Sequence, residues 1–276
     1  SIEAATENSL KVEGAFAAKL PADPKENIVW QCIELYNNYL AEINKNSQPV
    51  LLTLDKKMPV GSGLGSSACS VVAALHALNA FYEYPFDDMK MLKMMGEMEA
   101  QISGSLHYDN VAPCFVGGLQ LMLPDEVNVT RTLPGFSDYY YIMAYPGIEV
   151  STKAAREVLP TSYSRADVVT FGQNLAAFVD ACHRQDANQA FAQFTDVVAE
   201  PFRSHLLPGF ENARKELLTM GSVAVGISGS GPTLFAICKD LAKAESQAQW
   251  LKDNYVQNEL GFVHVCRLDE QGAIVL

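Results

Sequence analysis

Apolar residues recur every three or four positions through residues 26–41, where Ile28, Cys32, Leu35, Tyr39 and, just beyond, Ile43 mark one face of an amphipathic helix. Asp23 and Pro24 supply its start signal. A short apolar run at 50–54 predicts a strand closed by Asp55, Lys56 and Lys57. Small residues predict a helix at 66–81, and Pro85, Phe86, Asp87 and Asp88 open another at 89–102. Residues 103–118 lack a clear period and are predicted as a loop rich in functional side chains, followed by strands at 118–123 and 140–145. Further on, the pattern predicts helices at 152–158, 166–183, 187–199, 210–220 and 242–255. Strands at 223–227 and 233–238 form a hairpin around a glycine-rich turn, and two more are predicted at 262–268 and 273–276. Residues 1–20 are β-leaning and interrupted by polar positions. Helices and strands alternate but a hairpin intervenes, so the fold class is α+β rather than a doubly wound parallel sheet. The expected lobes are 1–145 and 146–276.

Composition narrows the function. With 276 residues, 49% hydrophobic and 19% charged, the chain can bury a real core, which excludes a disordered class. No uninterrupted apolar stretch approaches the roughly 18 residues a spanning helix needs, so a membrane is not an expected partner. Lys+Arg 20 against Asp+Glu 32 gives a net charge of −12. That surface repels a nucleic-acid backbone, and a small anionic ligand would need a local electropositive cradle. The cysteines (Cys32, Cys69, Cys114, Cys182, Cys238 and Cys266) never form C-x-x-C and sit among apolar or small neighbours, as buried free thiols do. Without a signal-peptide pattern, a reducing cytoplasm is expected.

The strongest chemical signal is the stretch Pro59, Val60, Gly61, Ser62, Gly63, Leu64, Gly65, Ser66, Ser67, Ala68 and Cys69, which runs into the predicted helix at 66–81. Glycines allow positive φ and close approach of a phosphate. A helix N-terminus adds unpaired N–H donors and the positive end of the macrodipole. A Walker A loop is excluded because Ser66 and Ser67 stand where its lysine belongs, and a Rossmann fingerprint lacks its third glycine at position 66. The plain alternative is a flexible loop ending in an ordinary serine helix cap.

This stretch resembles the nucleotide-binding motif of the GHMP small-molecule kinases. A later run, Gly226 through Ser228, Gly229, Ser230, Gly231, Pro232 and Thr233, resembles their C-terminal glycine-rich motif. Within that superfamily, the run from Gly104 through His107, Asp109 and Asn110 to Pro113 is similar to homoserine kinases. The resemblance spans essentially the whole chain. It implies an N-terminal lobe related to ribosomal protein S5 domain 2 and a ferredoxin-like C-terminal lobe. It also implies transfer of the γ-phosphate of ATP to the side-chain hydroxyl of L-homoserine, in threonine biosynthesis, with Mg²⁺ as cofactor.

Residues 59–69 would then wrap the nucleotide phosphates, with Ser67 and Glu99 matching the family's metal-contacting serine and carboxylate. His107, Asp109 and Asn110 match the loop that approaches the acceptor. Asn110 stands where mevalonate- and galactokinase-like members place an aspartate base, and an amide cannot remove a proton. The resemblance therefore implies catalysis by positioning and electrostatics. Arg156 matches an arginine at substrate and γ-phosphate, Arg203 one that grips the substrate carboxylate, and Thr152 lies near the expected acceptor site. The implied partners are small-molecule substrates and, since members are often dimers, a homodimer. Another alcohol substrate, or a sensor that keeps the fold without the chemistry, are the rival functions. Nothing matches the upstream Pro/Ala/Ser/Asn-rich motif of homoserine kinases, and the chain opens at Ser1 inside a strand-like stretch, so further residues are expected ahead of it.

Overall fold

Val50 and Leu52 are buried while Asp55 is exposed, the alternation of a strand with one covered face. In the computed structural model, which describes residues 1–276 apart from the side chains of residues 102, 103 and 152, this strand is the centre of a three-stranded sheet. β1 (Ile2–Ala4) runs antiparallel to β3 (Val50–Asp55), and β2 (Ser9–Glu13) runs parallel to it. Helix α1 (Ile28–Glu42) starts where Asn27 accepts the Val29 N–H, two residues later than the periodicity predicts.

The chain divides into two units, one of residues 1–60, 65–132 and 270–276, the other of 61–64 and 133–269. In the first, α2 (Ser66–Phe81) is central and has the predicted bounds; it touches α1, α3 (Asp88–Ser103), α4 (Val111–Val116), β1 and β3. Ala68, Val71, Val72, Leu75 and Leu78 lie in its core. Met91, Met94, Met95 and Met98 make a fully buried stripe on α3 at three- and four-residue spacing. That helix ends at Gly104, whose φ of +79° suits a left-handed cap. A Cβ on Gly96 would overlap the Tyr108 ring, so Tyr108 lies directly on the α3 backbone and fixes the 104–110 segment.

Two expectations are corrected in this unit. Residues 103–118 are not all loop, because 111–116 form α4, which carries Pro113 in its first turn where the missing N–H costs no helix bond. Residues 273–276 form no strand; Ala273 N–H instead bonds the Phe115 carbonyl at 3.1 Å. Strand β4 (Leu119–Met122) pairs with β5 (Thr130–Leu133), which the sequence pattern does not predict.

The second unit holds an antiparallel sheet in the order β7-β8-β6-β9, from β6 (Tyr140–Tyr145), β7 (Ala224–Ile227), β8 (Leu234–Cys238) and β9 (Phe262–Cys266). Helices fill the connection from β6 to β7, β7 and β8 form the predicted hairpin, and α10 (Leu241–Asn254) leads to β9. That β-α-β-β-α-β order is the ferredoxin-like arrangement. Before β7 come α5 (Thr152–Glu157), α6 (Arg165–Arg184), α7 (Ala187–Ala192), α8 (Glu200–Arg203) and α9 (Phe210–Thr219). The helix expected at 187–199 stops at Ala192, since Asp196 accepts the N–H groups of Val198, Ala199 and Glu200 and so starts α8 instead. The core of this unit lies between the sheet and helices α9 and α10, around Phe210, Leu217, Leu234, Leu251 and Tyr255. With both lobes accounted for, the fold is α+β, as expected.

Candidate active site

The glycine-rich stretch is shared between the units: residues 65–69 belong to the first and 61–64 to the second. In the first unit, Gly65 is the N-cap of α2 with φ +68° and provides no side-chain cap. The plain reading of an ordinary serine cap therefore fails, and the first-turn N–H groups keep their capacity for an anion. Ser66 Oγ donates backwards to the Met58 carbonyl at 3.1 Å, which folds the approach to the helix.

Lys56 lies beneath this turn. Its buried Nζ donates to the Ser66 carbonyl at 2.7 Å and to Ser70 Oγ at 2.6 Å. Burial holds its pKa below the usual lysine value. In a chain of net charge −12, this ammonium beside a helix N-terminus is local positive charge of the kind a phosphate needs. Lys56 ends the predicted strand, but the alternation through Val50, Leu52 and Leu54 carries on to it and marks it as the inward-facing lysine of the pair.

Ser67 and Glu99 are brought together. Ser67 Oγ donates to Glu99 Oε1 at 3.0 Å, and Glu99 is only 6% exposed. Burial raises the Glu99 pKa, while the Ser67 hydrogen bond and His107 pull it back. A hydroxyl and a buried carboxylate oxygen at one point are hard donors of the type Mg²⁺ takes alongside phosphate oxygens, so the residues present fit that ion. His107 Nδ1 lies 2.8 Å from Asp109 Oδ1. Asn110 is the N-cap of α4, and a Cβ on Gly65 would stand 3.1 Å from its Oδ1. Cys69 also has a partner the sequence did not reveal: the Cys114 thiol donates to its sulfur at 3.6 Å. That hydrogen bond, helped by Lys56, draws the Cys69 thiol down to about 7 against the opposing effect of burial.

In the second unit, residues 61–63 are bonded to the other glycine-rich motif and its surroundings. The Gly61 carbonyl accepts from Val150 N–H at 3.2 Å, the Ser62 carbonyl from Thr233 N–H at 3.1 Å, and the Gly63 carbonyl from Ser228 Oγ at 2.9 Å. A side chain at Gly63, where φ is +78°, would overlap the Ser228 carbonyl. Arg203 Nε donates to the Ala155 carbonyl at 2.9 Å and Nη1 to the Gly229 carbonyl at 3.3 Å. Arg203 thereby ties α8 to α5 and to the glycine turn. Arg156, in the last turn of α5, is exposed and follows directly on the carbonyl that Arg203 holds. The side chain of Thr152 lies outside the described residues.

The family model for the GHMP kinases N terminal domain matches residues 27–118, and that for the GHMP kinases C terminal matches residues 178–257. Homoserine kinase from Cytophaga hutchinsonii is 31% identical, with a TM-score of 0.88 over 98% of this chain and 86% of that one. A putative homoserine kinase from Listeria monocytogenes is 22% identical, with a TM-score of 0.68 over 98% of this chain and 87% of that one. The Streptococcus pneumoniae phosphomevalonate kinase in complex with phosphomevalonate and AMPPNP shares the fold at 15% identity, with a TM-score of 0.75 over 96% of this chain and 89% of that one.

Proposed function

The chain belongs to the GHMP kinases, and from that premise we propose that it phosphorylates the side-chain hydroxyl of L-homoserine with ATP, giving O-phospho-L-homoserine and ADP for threonine biosynthesis. That it is a phosphotransferase follows from the family. The choice of acceptor is supported by the 31% identity to a homoserine kinase over nearly the whole chain. The observation that carries the mechanism is Asn110, an amide standing against the last glycine of the phosphate loop.

In the proposed reaction, the α2 N-terminus holds phosphate oxygens, the buried Lys56 ammonium beneath it adds positive charge, and Ser67 and Glu99 would hold Mg²⁺. The ion, when bound, neutralises charge on the phosphates. Asn110 orients the acceptor hydroxyl without taking its proton. As the new P–O bond forms and the bond to ADP breaks, the hydroxyl proton passes to the phosphoryl group. Arg156 stabilises charge on that group. Arg203 has five N–H donors, two of them on carbonyls here, and its grip on the substrate carboxylate falls to the others. His107 and Asp109 complete the acceptor side.

No helix among the described residues is long and apolar enough to cross a membrane. All six cysteines are free thiols, which supports the cytoplasm as the proposed location.

The test is ADP formation from MgATP with L-homoserine, mevalonate and galactose in parallel. Turnover confined to L-homoserine is expected. Turnover with another alcohol and none with homoserine would overturn the proposed acceptor.

A further inference from the structure

The first turns of α2 and α4 face each other at two levels. At the lower level are the two N-caps, Gly65 and Asn110, with a Gly65 Cβ position 3.1 Å from Asn110 Oδ1. One helical turn up are two cysteines. Cys69 N–H bonds the Gly65 carbonyl at 3.0 Å, and Cys114 N–H bonds the Asn110 carbonyl at 3.3 Å. Their sulfurs are 3.6 Å apart. Both side chains are partly exposed, whereas Cys32, Cys182 and Cys238 are buried.

We propose that Cys69 and Cys114 are a modification site: hydrogen peroxide converts them to a reversible disulfide that disables the phosphate loop. Each thiol gives up its S–H proton as the S–S bond forms. The peroxide O–O bond accepts the two electrons, breaks, and leaves with the two protons as two waters. A disulfide sets its sulfurs at 2.05 Å, so the pair must close by about 1.5 Å from its present separation. Each cysteine is tied by a helix hydrogen bond to the N-cap one turn below it. Closure at the upper level therefore displaces Asn110 and the turn bearing Ser66 and Ser67. A misplacement on the order of 1 Å at a reacting site costs on the order of 100-fold in rate.

The proposal rests on residues 65–69 being the phosphate loop, and the experiment separates the two ideas. The whole chain is treated with hydrogen peroxide, alkylated and digested, while turnover and MgADP affinity are followed. Expected are a peptide joining Cys69 to Cys114, lighter by two hydrogen atoms than the two thiol peptides together, and a fall in turnover on the order of 100-fold that dithiothreitol reverses. Cys114→Ser should keep its basal turnover and resist peroxide, and Cys69→Ala should give no cross-linked peptide. Absence of the cross-link, a cross-link that leaves turnover and MgADP affinity unchanged, or equal peroxide loss in Cys114→Ser would each overturn it. A reduced chain that binds MgADP but does not phosphorylate homoserine overturns only the proposed substrate, and the switch is then read from MgADP affinity. A reduced chain with no MgADP affinity overturns the loop reading and the switch together.

Discussion

Ser67, in the first turn of one helix, donates its hydroxyl to Glu99, late in another, at 3.0 Å. The two residues are 32 apart in sequence, and neither helix pattern alone hints at the meeting. α2 and α3 pack against each other, and this brings a buried carboxylate to a helix N-terminus. Burying a carboxylate is costly, and the Ser67 hydroxyl offsets part of that cost.

If the pair holds Mg²⁺, removing either oxygen should act on turnover more than on stability. Ser67→Ala is expected to lower metal-dependent turnover by on the order of 100- to 1,000-fold while the chain stays folded, at a cost of about 1.5–3 kcal/mol, the worth of one hydrogen bond to a charged group. Glu99→Gln should lower kcat and raise the Mg²⁺ concentration needed for half-maximal rate. Rates across a Mg²⁺ titration check both variants, and an unchanged titration in Glu99→Gln would sink the metal role.

Stability should respond to Glu99 in the opposite direction from activity. Burial raises its pKa above the ordinary carboxylate value. A carboxyl raised in this way contributes stability below its unfolded pKa and loses that contribution as pH rises through its folded value. Above that folded value the ionised Glu99 therefore weakens the metal-free fold. Glu99→Gln is expected to raise the Tm of the metal-free chain at neutral pH, with the gain shrinking towards about pH 4, near the ordinary carboxylate pKa. Thermal melts at the two pH values without Mg²⁺ decide it; a lower Tm for the variant at pH 7 contradicts the burial argument.

Gly61 and Gly63 look alike in the motif but differ in what surrounds them. Both have positive φ, +64° and +78°. A Cβ at Gly61 meets nothing nearer than the Val150 carbonyl at 3.6 Å, whereas at Gly63 it overlaps the Ser228 carbonyl and stands 2.8 Å from that of Gly231. Gly61→Ala should cost about 1–2 kcal/mol, the strain of a left-handed residue. Gly63→Ala should cost roughly 1–3 kcal/mol more, because backbone must move. Urea unfolding of the two variants measures the difference, and equal losses would mean that the glycine turn yields freely.

These contrasts mark where sequence pattern stops. Helix α2 was legible to the residue because glycines precede it and small apolar residues continue it. Helix α4 was not, since six residues are too few for a period and Pro113 reads as a breaker. Nor did the alanine-rich run 187–199 betray the Asp196 cap that divides it. At the site, the glycine pattern pointed to residues 59–69, and only the family resemblance singled out Ser67 and Glu99. Pairings such as Gly63 with Ser228, 165 residues apart, or Cys69 with Cys114 come only from tertiary structure. Lys56 is the intermediate case: its inward direction was in the alternation, but its partners Ser66 and Ser70 were not.

Asn110 is an amide and packs against Gly65 at the start of the phosphate loop. A positioned base typically contributes on the order of 100- to 10,000-fold in enzymes that use one. Were this site merely short of its base, Asn110→Asp would recover part of that factor. If the site works by positioning, a carboxylate beside the phosphate-binding turn repels the transferring group, and the rate falls. Arg156→Ala should then cost more than any loss of an acid, because it removes positive charge that stabilises the transition state and leaves nothing in its place. The check is kcat for L-homoserine at saturating MgATP in both variants, with MgADP affinity measured beside it to show that the loop still binds. A faster Asn110→Asp enzyme, or an Arg156→Ala enzyme as fast as the parent, would refute catalysis by positioning alone.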